Sequence, residues 1–510
     1  MEVVSKPRVL ILGGGISGLS VMQVCISRGW EVHLVDRKPL AALLQSSSAT
    51  DVKFSDCRAE LESAFSSGRA CFWHENDSQD QVMALLDAQH YSEVVVSPGV
   101  SWNSSIALRC REFGVAITGE LEWGLRQLSG RIILVTGSNG KTTTAMLINH
   151  LLQGLGQRSF LIGNVGTPVT SLLVDNAKVG ANDFLVVEAS SYQLEASSSF
   201  VPEVSLLLNI SENHLERHGN LLSYIEAKLK PFRRMSTGAR VVTNCALHGL
   251  VSDTLKELEP DIRLIDGVSS AGRGALVDQV DQVVIYDGKS TVRLDLSNTP
   301  LIGHHNRLNC VAAIMALQFV LPNVCDGAFP VNDIVSLLRN FRMPPYRIQL
   351  SHTGKGFTWI NDSKSTTPMA TEVAIRLVRE RYPDKSLVLL CGGEMKMASW
   401  DSVWRLIWTE LKALNARGLG IKVVFFGASS RALYELFRSF VSELQIGRFE
   451  EKIILKLASN LDDAIKKVIN SFHADDVEQV VLFSPGCASF DEFSNFQERG
   501  AEFDRLVAYD

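Results

Sequence analysis

The chain has no C-x-x-C pair. Its nine cysteines are scattered singly among 510 residues. That pattern excludes a disulfide or zinc framework and predicts reduced thiols in a cytoplasmic protein. An excess of basic charge is also missing. Lys and Arg total 50 against 56 Asp and Glu, for a net charge of −6, and no basic block stands out. Nucleic acid is therefore not an expected partner. No long hydrophobic run occurs either. The longest apolar helical stretch, residues 310–321, is interrupted by Gln318 and falls short of the roughly 20 residues a membrane span needs. The opening MEVVSKPRVLIL passes directly into a strand pattern, without the plan of a signal peptide. Internal repeats and low-complexity tracts are absent. The hydrophobic fraction, 46%, is ample for packed cores, and at about 150 residues per domain the length suggests three domains.

The stretch with the most chemistry is IILVTGSNGKTTT, residues 132–144. Ile132 to Val135 read as a buried strand, Gly137 and Gly140 permit a tight turn, and Thr142 to Thr144 open a helical pattern. A strand, a Gly-containing turn and a helix N-terminus form an anion site, because backbone N–H groups and the helix dipole point at one place. Lys141 adds a cation for terminal phosphates, and Thr142 offers a hydroxyl to Mg²⁺. The strict Walker spacing fails, since its first Gly would fall at Val135. The bland alternative is an ordinary strand-to-helix turn with a surface lysine.

The first segment, 1–119, begins PRVLILGGGISGLS, in which Gly13, Gly15 and Gly18 match G-x-G-x-x-G between a strand and a helix. The next strand, EVHLVD, ends in Asp36. This is a dinucleotide-type fingerprint with its ribose-binding acid. It predicts a Rossmann-like domain able to seat a phosphate-bearing nucleotide and does not establish hydride transfer. A further strand leads to a turn at Ser97, Pro98 and Gly99.

The second segment, 120–342, carries the P-loop. The buried strand DFLVVEAS delivers Glu188 to its C-terminal end, and VSLLLNI leads into SENHLERH, with His214. Strand ends are where open parallel sheets form their crevices, so Glu188 and His214 are candidate metal ligands. A lone Glu at a strand end is otherwise a solvated loop residue. Strand-like stretches between Arg240 and Leu296 read as a peripheral sheet. The third segment, 343–510, alternates strands with amphipathic helices and reads as a second Rossmann-like unit, with polar loops NDSKSTT, GGEMK and SPGCASFDEFSNF. The MPP at 343–345 predicts a stiff junction. The fold class expected is α/β in three domains.

Taken in order, T-G-S-N-G-K-T-T, G-N-V-G, E-A-S-S-Y-Q-L-E, N-H-L-E-R-H, E-A-K-L-K, G-H-H-N, N-D-S-K-S-T and S-P-x-C-A-S-F-D-x-F-x-N-F-x-x-R-G resemble the Mur ligases, and within them the branch that adds glutamate. The resemblance covers nearly the whole chain. Folylpolyglutamate synthases share the central and C-terminal plan but lack the GGGISGLS domain.

The resemblance implies an ATP-dependent ligase joining UDP-N-acetylmuramoyl-L-alanine to glutamate in peptidoglycan precursor synthesis, working as a cytoplasmic monomer with two Mg²⁺ ions. It implies that the first domain binds UDP through Ile16, Ser17, Asp36, Arg37 and the turn Ser97, Pro98, Gly99. Gly137, Ser138, Asn139, Gly140, Lys141, Thr142 and Thr143 would cradle ATP. Thr142 and Glu188 would hold one metal, and His214 the other. Asn164 matches a substrate contact. Asn306 and Asn309 match adenine contacts, joined by Arg347 and Asp362. Lys364, Thr366, Lys396, Ser489 and Phe496 match the amino-acid pocket. Lys228, in SYIEAKLKPF, matches a lysine carboxylated by CO₂, whose carbamate supports the second metal. Read alone, Lys228 is a solvated helix lysine.

Three positions depart from the pattern. Tyr346 stands where a His is common, Thr367 where an Asn is common, and Glu394 where an Asp is common. The last two lie around the amino-acid pocket and leave open whether D- or L-glutamate, or another amino acid, is added. Two other classes compete. A nicotinamide or flavin oxidoreductase rests on GGGISG and Asp36 alone. A non-catalytic nucleotide-binding regulator conflicts with the intact Lys141, Glu188, His214 and Lys228.

Overall fold

The computed structural model describes residues 6–46, 52–74, 91–174, 178–211, 215–269, 271–277, 282–287, 291–301, 303–321, 330–395, 399–443, 453–472 and 478–508. His214 and Lys396 lie outside them. The chain forms two compact units, Met1–Arg342 and Met343–Asp510. The first contains two sheets and the second contains one. Among the described residues, no helix is long and apolar enough to cross a membrane.

The first sheet holds β1 (Arg8–Leu12), β2 (Glu31–Asp36), β3 (Ala70–His74), β4 (Glu93–Val96) and β5 (Ile117–Gly119). All are parallel, in the order β3-β2-β1-β4-β5. Val9, Leu10, Ile11 and Leu12 are all buried, so β1 reads as a continuous apolar run, as a strand covered on both faces must. Strand order reverses between β1 and β4. The crevice at that reversal is bordered by the glycine loop after β1 and the residue 97–99 turn after β4.

The second sheet has ten strands: β6 (Arg131–Thr136), β7 (Ser159–Gly163), β8 (Phe184–Glu188), β9 (Val204–Leu207), β10 (Arg240–Thr243), β11 (Asp261–Leu264), β12 (Gly267–Val268), β13 (Arg273–Val277), β14 (Gln282–Asp287) and β15 (Thr291–Asp295). Its main order is β15-β14-β13-β11-β10-β9-β6-β8-β7, with β12 paired to β13. The expected peripheral sheet between Arg240 and Leu296 is corrected here. β10 pairs in parallel with β9 and β11 with β10, so these strands extend the P-loop sheet, and the antiparallel pairs, β12-β13, β13-β14 and β14-β15, lie at its far edge. The apolar runs of β10 and β11 gain burial by pairing with an existing sheet instead of founding a separate one. Helices Lys141–Gly154 and His304–Val320 pack against each other. A short helix, Glu120–Leu125, links β5 to this sheet.

The third sheet holds β16 (Gln349–Gly354), β17 (Phe357–Asn361), β18 (Ser386–Gly392), β19 (Ile421–Phe426), β20 (Ile453–Leu457) and β21 (Gln479–Gly486), in the order β16-β17-β21-β18-β19-β20. Only β16 is antiparallel. One core gathers around Trp404, Phe425 and Phe437. The other gathers around Trp359, Phe483 and Phe503. Insertion of β21 between β17 and β18 brings the ends of three strands together. From those ends come the loops NDSKSTT, SPGCAS and GGEMK that the sequence singled out.

Candidate active site

The P-loop leaves the end of β6, which lies between β8 and β9. Chain order reverses around β6, so its C-terminal end opens a crevice. Val135 is in register with Glu188 and Thr136 with Leu207. Glu188 is therefore on the neighbouring strand, closer than its sequence separation suggests. Gly140 adopts φ +84°, and a Cβ there would lie 2.4 Å from the Asn309 Oδ1. Glycine is needed on both counts, backbone sign and space. The same approach puts Asn309 against the phosphate loop. Asn306 is beside it, with its Oδ1 accepting from Asn309 Nδ2 at 3.4 Å.

The loop is held by residues that carry no motif. Asn209, at the end of VSLLLNI, accepts from the Asn139 N–H at 2.8 Å and donates to the Asn139 carbonyl at 3.1 Å. The Ser138 hydroxyl is shared with Tyr224, at 2.9 Å, and with the Ser211 backbone. Ser138 thus faces inward, as a brace. Asn209 and Tyr224 were missed by sequence reasoning. The only sequence signal was their position, at a strand end beside the P-loop strand and one helical turn before Lys228. Gly140, the N-cap of the helix Lys141–Gly154, offers no side-chain cap, and the first N–H groups of such a helix face the place where phosphates belong.

Glu188 is buried. Its Oε1 accepts from Asn164 Nδ2 at 2.8 Å. Its Oε2 is buried without a hydrogen-bond partner among the described residues. A buried carboxyl oxygen left without a protein partner in a crevice beside a P-loop suits a divalent cation, and Mg²⁺ favours such oxygen donors. Thr142, at the first turn of the P-loop helix, supplies the hydroxyl type that such a cation takes. Asn164 reaches Glu188 in this structure, which adds an orienting role to the expected substrate contact.

Lys228 is 1% exposed, so the reading of a solvated helix lysine fails. Its Nζ donates to the Gly137 carbonyl at 2.9 Å and to Thr136 Oγ1 at 3.3 Å, and lies 4.7 Å from the Tyr224 ring centre. Burial, and then the charge of Lys141, push its pKa well below the ordinary lysine value, with Glu188 opposing. Lys141 Nζ donates to the carbonyls of Gly137 and Ser138 at 2.9 and 3.0 Å.

In the first sheet, the helix Ile16–Ser27 starts at Gly15 with no side-chain cap. A Cβ on Gly18 would lie 2.0 Å from the Gly13 carbonyl, which is the close helix-to-strand approach that the third fingerprint glycine permits. Asp36 accepts from the N–H of Gly14 at 2.6 Å and of Lys38 at 2.7 Å. Its carboxylate therefore shapes the glycine loop itself. Ser97 donates to the Gly13 carbonyl at 2.7 Å, tying the 97–99 turn to the same loop. Ile16 and Arg37 are exposed and Ser17 half-buried at the crevice.

In the second unit, Lys364 Nζ stands 4.4 Å from the centre of the Phe496 ring. Ser363 donates to the Phe496 carbonyl at 2.8 Å. Arg499, part of the quoted C-terminal motif but given no role from the sequence, is buried and donates to Ser363 and to the carbonyls of Cys487 and Ala488. It clasps the two loops that carry Lys364, Thr366 and Ser489. Asp362 accepts from Ser484 Oγ at 2.8 Å and from the Ile348 N–H at 3.3 Å. Burial raises its pKa to about 7, with Ser484 and the neighbouring Arg347 opposing. The adjoining turn is strained, with φ +60° at Tyr346 and +50° at Ile348. Thr367, the departure from the common Asn, caps the helix Pro368–Arg381.

Comparison with known proteins agrees with this arrangement. The Mur ligase middle domain profile matches residues 135–317. The chain is 27% identical over 507 residues to the UDP-N-acetylmuramoylalanine–D-glutamate ligase of Buchnera aphidicola, covering 98% of this chain and 97% of that protein. It is 29% identical over 508 residues to the ligase of the same name from Desulfitobacterium hafniense, with the same coverage. Among solved structures, the UDP-N-acetylmuramate–alanine ligase of Thermotoga maritima superposes with a TM-score of 0.57 at 17% identity, covering 99% of this chain and 100% of that one. At that identity the likeness speaks for the fold alone. The chain thus carries a Mur ligase middle domain over residues 135–317 and is similar along its whole length to ligases of one name.

Proposed function

We propose that the chain is an ATP-dependent ligase that joins the amine of D-glutamate to the carboxylate of UDP-N-acetylmuramoyl-L-alanine, a step in peptidoglycan precursor synthesis. The observation that carries the reading is the convergence of the P-loop, the half-unpartnered Glu188 and the buried Lys228 around the end of β6. Direct amide formation from a carboxylate is uphill, so the carboxylate first takes the γ-phosphoryl group of ATP. The glutamate amine then attacks the acyl phosphate and phosphate leaves.

The chain's residues divide this work. The first domain, 1–119, seats the UDP at the glycine loop and the 97–99 turn. The central domain, 120–342, binds ATP through residues 137–143 with Asn306 and Asn309. Lys141 offsets the charge that develops during phosphoryl transfer. Mg²⁺, held by Thr142 and Glu188 and at a second place by His214, would supply positive charge against the phosphates. A carbamate on Lys228 would give that second place an anion, and the depressed basicity of Lys228 favours the neutral amine that attacks CO₂. The third domain, 343–510, receives glutamate, whose two carboxylates suit Lys364, Lys396 and the hydroxyls of Thr366 and Ser489. The enzyme works as a cytoplasmic monomer, which light scattering on the purified protein tests.

The test is phosphate release by purified protein with ATP, Mg²⁺, UDP-N-acetylmuramoyl-L-alanine and either glutamate enantiomer. Release requiring both the UDP substrate and D-glutamate, with ADP as co-product, is expected. Turnover with a different amino acid and none with glutamate overturns the assignment.

A further inference from the structure

Two motifs flank the phosphate site without a role in the chemistry above, SSYQLE and the RH of NHLERH. The structure joins them. Arg217, on the helix Leu215–His218, donates through Nη1 to the Pro98 carbonyl at 3.2 Å and through Nη2 to the Val100 carbonyl at 3.0 Å. The same guanidinium lies 3.4 Å from Glu195 Oε2 and 4.5 Å from the Tyr192 ring centre, with its side chain only 15% exposed. One planar cation therefore ties the turn bordering the first-sheet crevice to the SSYQLE helix of the P-loop sheet. The next residue continues the link. His218 is 2.9 Å from Ser191 Oγ, and its ring is 5.4 Å from that of Tyr224, whose hydroxyl braces Ser138 of the phosphate loop. A direct chain of contacts runs from the 97–99 turn to the P-loop.

This is more than a surface ion pair. Two of its bonds go to main-chain carbonyls of a turn from another sheet, and only a forked, planar donor set meets both while stacking on an aromatic face. The proposed substrate is long. Its nucleoside diphosphate end would sit at the first-sheet crevice, while its carboxylate must reach the γ-phosphate at the P-loop. Binding energy from the remote end helps the reaction only if the two sites are held at a fixed separation.

We propose that Arg217 is a positioning residue that sets the separation between the diphosphate crevice and the phosphoryl-transfer site, so that the enzyme favours acids linked to a nucleoside diphosphate. The proposal rests on the ligase reading. Neither the substrate's reacting atoms nor the phosphates of ATP need touch Arg217.

The experiment compares kcat/KM for UDP-N-acetylmuramoyl-L-alanine and for N-acetylmuramoyl-L-alanine, which lacks UDP, in wild type, Arg217→Lys and Arg217→Met. Misplacement of reacting groups by about an ångström costs on the order of 10²-fold. A loss of that size is expected in both variants on the UDP substrate, with the rate on the truncated acid and the KM for ATP within about twofold of wild type. An equal loss on both acids, or a raised ATP KM with a lowered melting temperature, overturns the proposal, because either marks direct contact or a merely structural role. If wild type does not measurably use the truncated acid, kcat at saturating UDP substrate decides, and an unchanged kcat in Arg217→Lys overturns it. No wild-type turnover of the UDP substrate would instead mark failure of the ligase reading itself.

Discussion

Lys141 and Lys228 donate to the same oxygen, the carbonyl of Gly137, each at 2.9 Å. Two ammonium groups on one acceptor repel, and the one that is buried yields first. That is Lys228, whose basicity is depressed by burial and by Lys141 in turn. A neutral amine beside a phosphate loop is the form that reacts with CO₂.

The first prediction follows from that pair. Lys228→Ala should lower kcat by at least about a hundredfold, the order lost when one electrostatic stabiliser of a transition state is removed. Formate or acetate should partly restore it by filling the carboxylate's place. Lys141→Ala should lose kcat comparably, with no rescue by carboxylates, because a cation is then missing. Steady-state phosphate release with and without added acid checks both, and full activity in the Lys228 variant would sink the carbamate. The sign of the pH effect is also fixed. With the folded pKa below the unfolded value, the unfolded chain binds more protons, so stability in CO₂-free buffer should rise with pH from the folded value to the unfolded one.

A second prediction concerns Asn164. Its amide holds Glu188 Oε1 and leaves Oε2 directed elsewhere. Removing an orienting partner of a metal-binding carboxylate commonly costs about 10- to 100-fold in metal affinity. Asn164→Ala should raise the Mg²⁺ concentration for half-maximal activity by such a factor. Titration of activity against Mg²⁺ at saturating ATP measures it, and an unchanged midpoint with a raised KM for the UDP substrate would assign Asn164 to substrate alone.

These residues also mark how far the sequence could be read. The three sheets follow from β-branched runs alternating with helical periodicity, and the P-loop and glycine fingerprint follow from turns that demand glycine. Glu188 and the polar loops after β17, β18 and β21 were legible because strand ends in parallel sheets point at crevices. Asn209, Arg217 and Arg499 were not legible as braces, although Arg217 and Arg499 stand inside the quoted motifs. Each acts by hydrogen bonds to main-chain groups distant in sequence, from Asn209 to Asn139, Arg217 to Pro98 and Arg499 to Ser363, and a motif does not show which main-chain groups its side chains meet. Lys228 failed for the complementary reason. Helical periodicity marks apolar positions as inward, so a lysine on the inward face reads as solvated. The strands from Arg240 onward were correctly strands, but which sheet they join is a question of pairing that local pattern does not encode.

A third prediction tests the P-loop turn. Gly140→Ala would need φ +84° and place its Cβ 2.4 Å from Asn309 Oδ1. Gly156 has a similar φ, +76°, with open space around it. Gly156→Ala should cost only left-handed strain, about 1–2 kcal/mol, and leave the KM for ATP alone. Gly140→Ala should add displacement of Asn309 and raise the ATP KM sharply. Equal ATP KM values in the two variants would show that Asn309 does not shape the nucleotide site.

The last prediction concerns a buried acid between the first two sheets. Glu120 is 1% exposed, and its Oε1 accepts from the N–H and the hydroxyl of Thr170, each at 2.9 Å. Thr170 is also 2.7 Å from Ser20, on the helix that leaves the glycine loop. The second carboxylate oxygen has no hydrogen-bond partner among the described residues. Burial outweighs the two Thr170 bonds and the Val169 backbone and raises the Glu120 pKa from 4.5 to about 6. The folded state therefore binds the proton more tightly than the unfolded chain. Its favourable contribution is fully present below pH 4.5 and is lost as pH rises through about 6. The difference amounts to about 2 kcal/mol at neutral pH. Glu120→Gln keeps the acceptor for Thr170 and cannot ionise. Its stability relative to wild type should therefore increase as pH rises across that window, and remain constant above it. Urea midpoints of both proteins from pH 4.5 to 7.5 measure the difference. A gap between the two that does not change with pH would mean that Glu120 keeps the same affinity for its proton in the folded and unfolded chain.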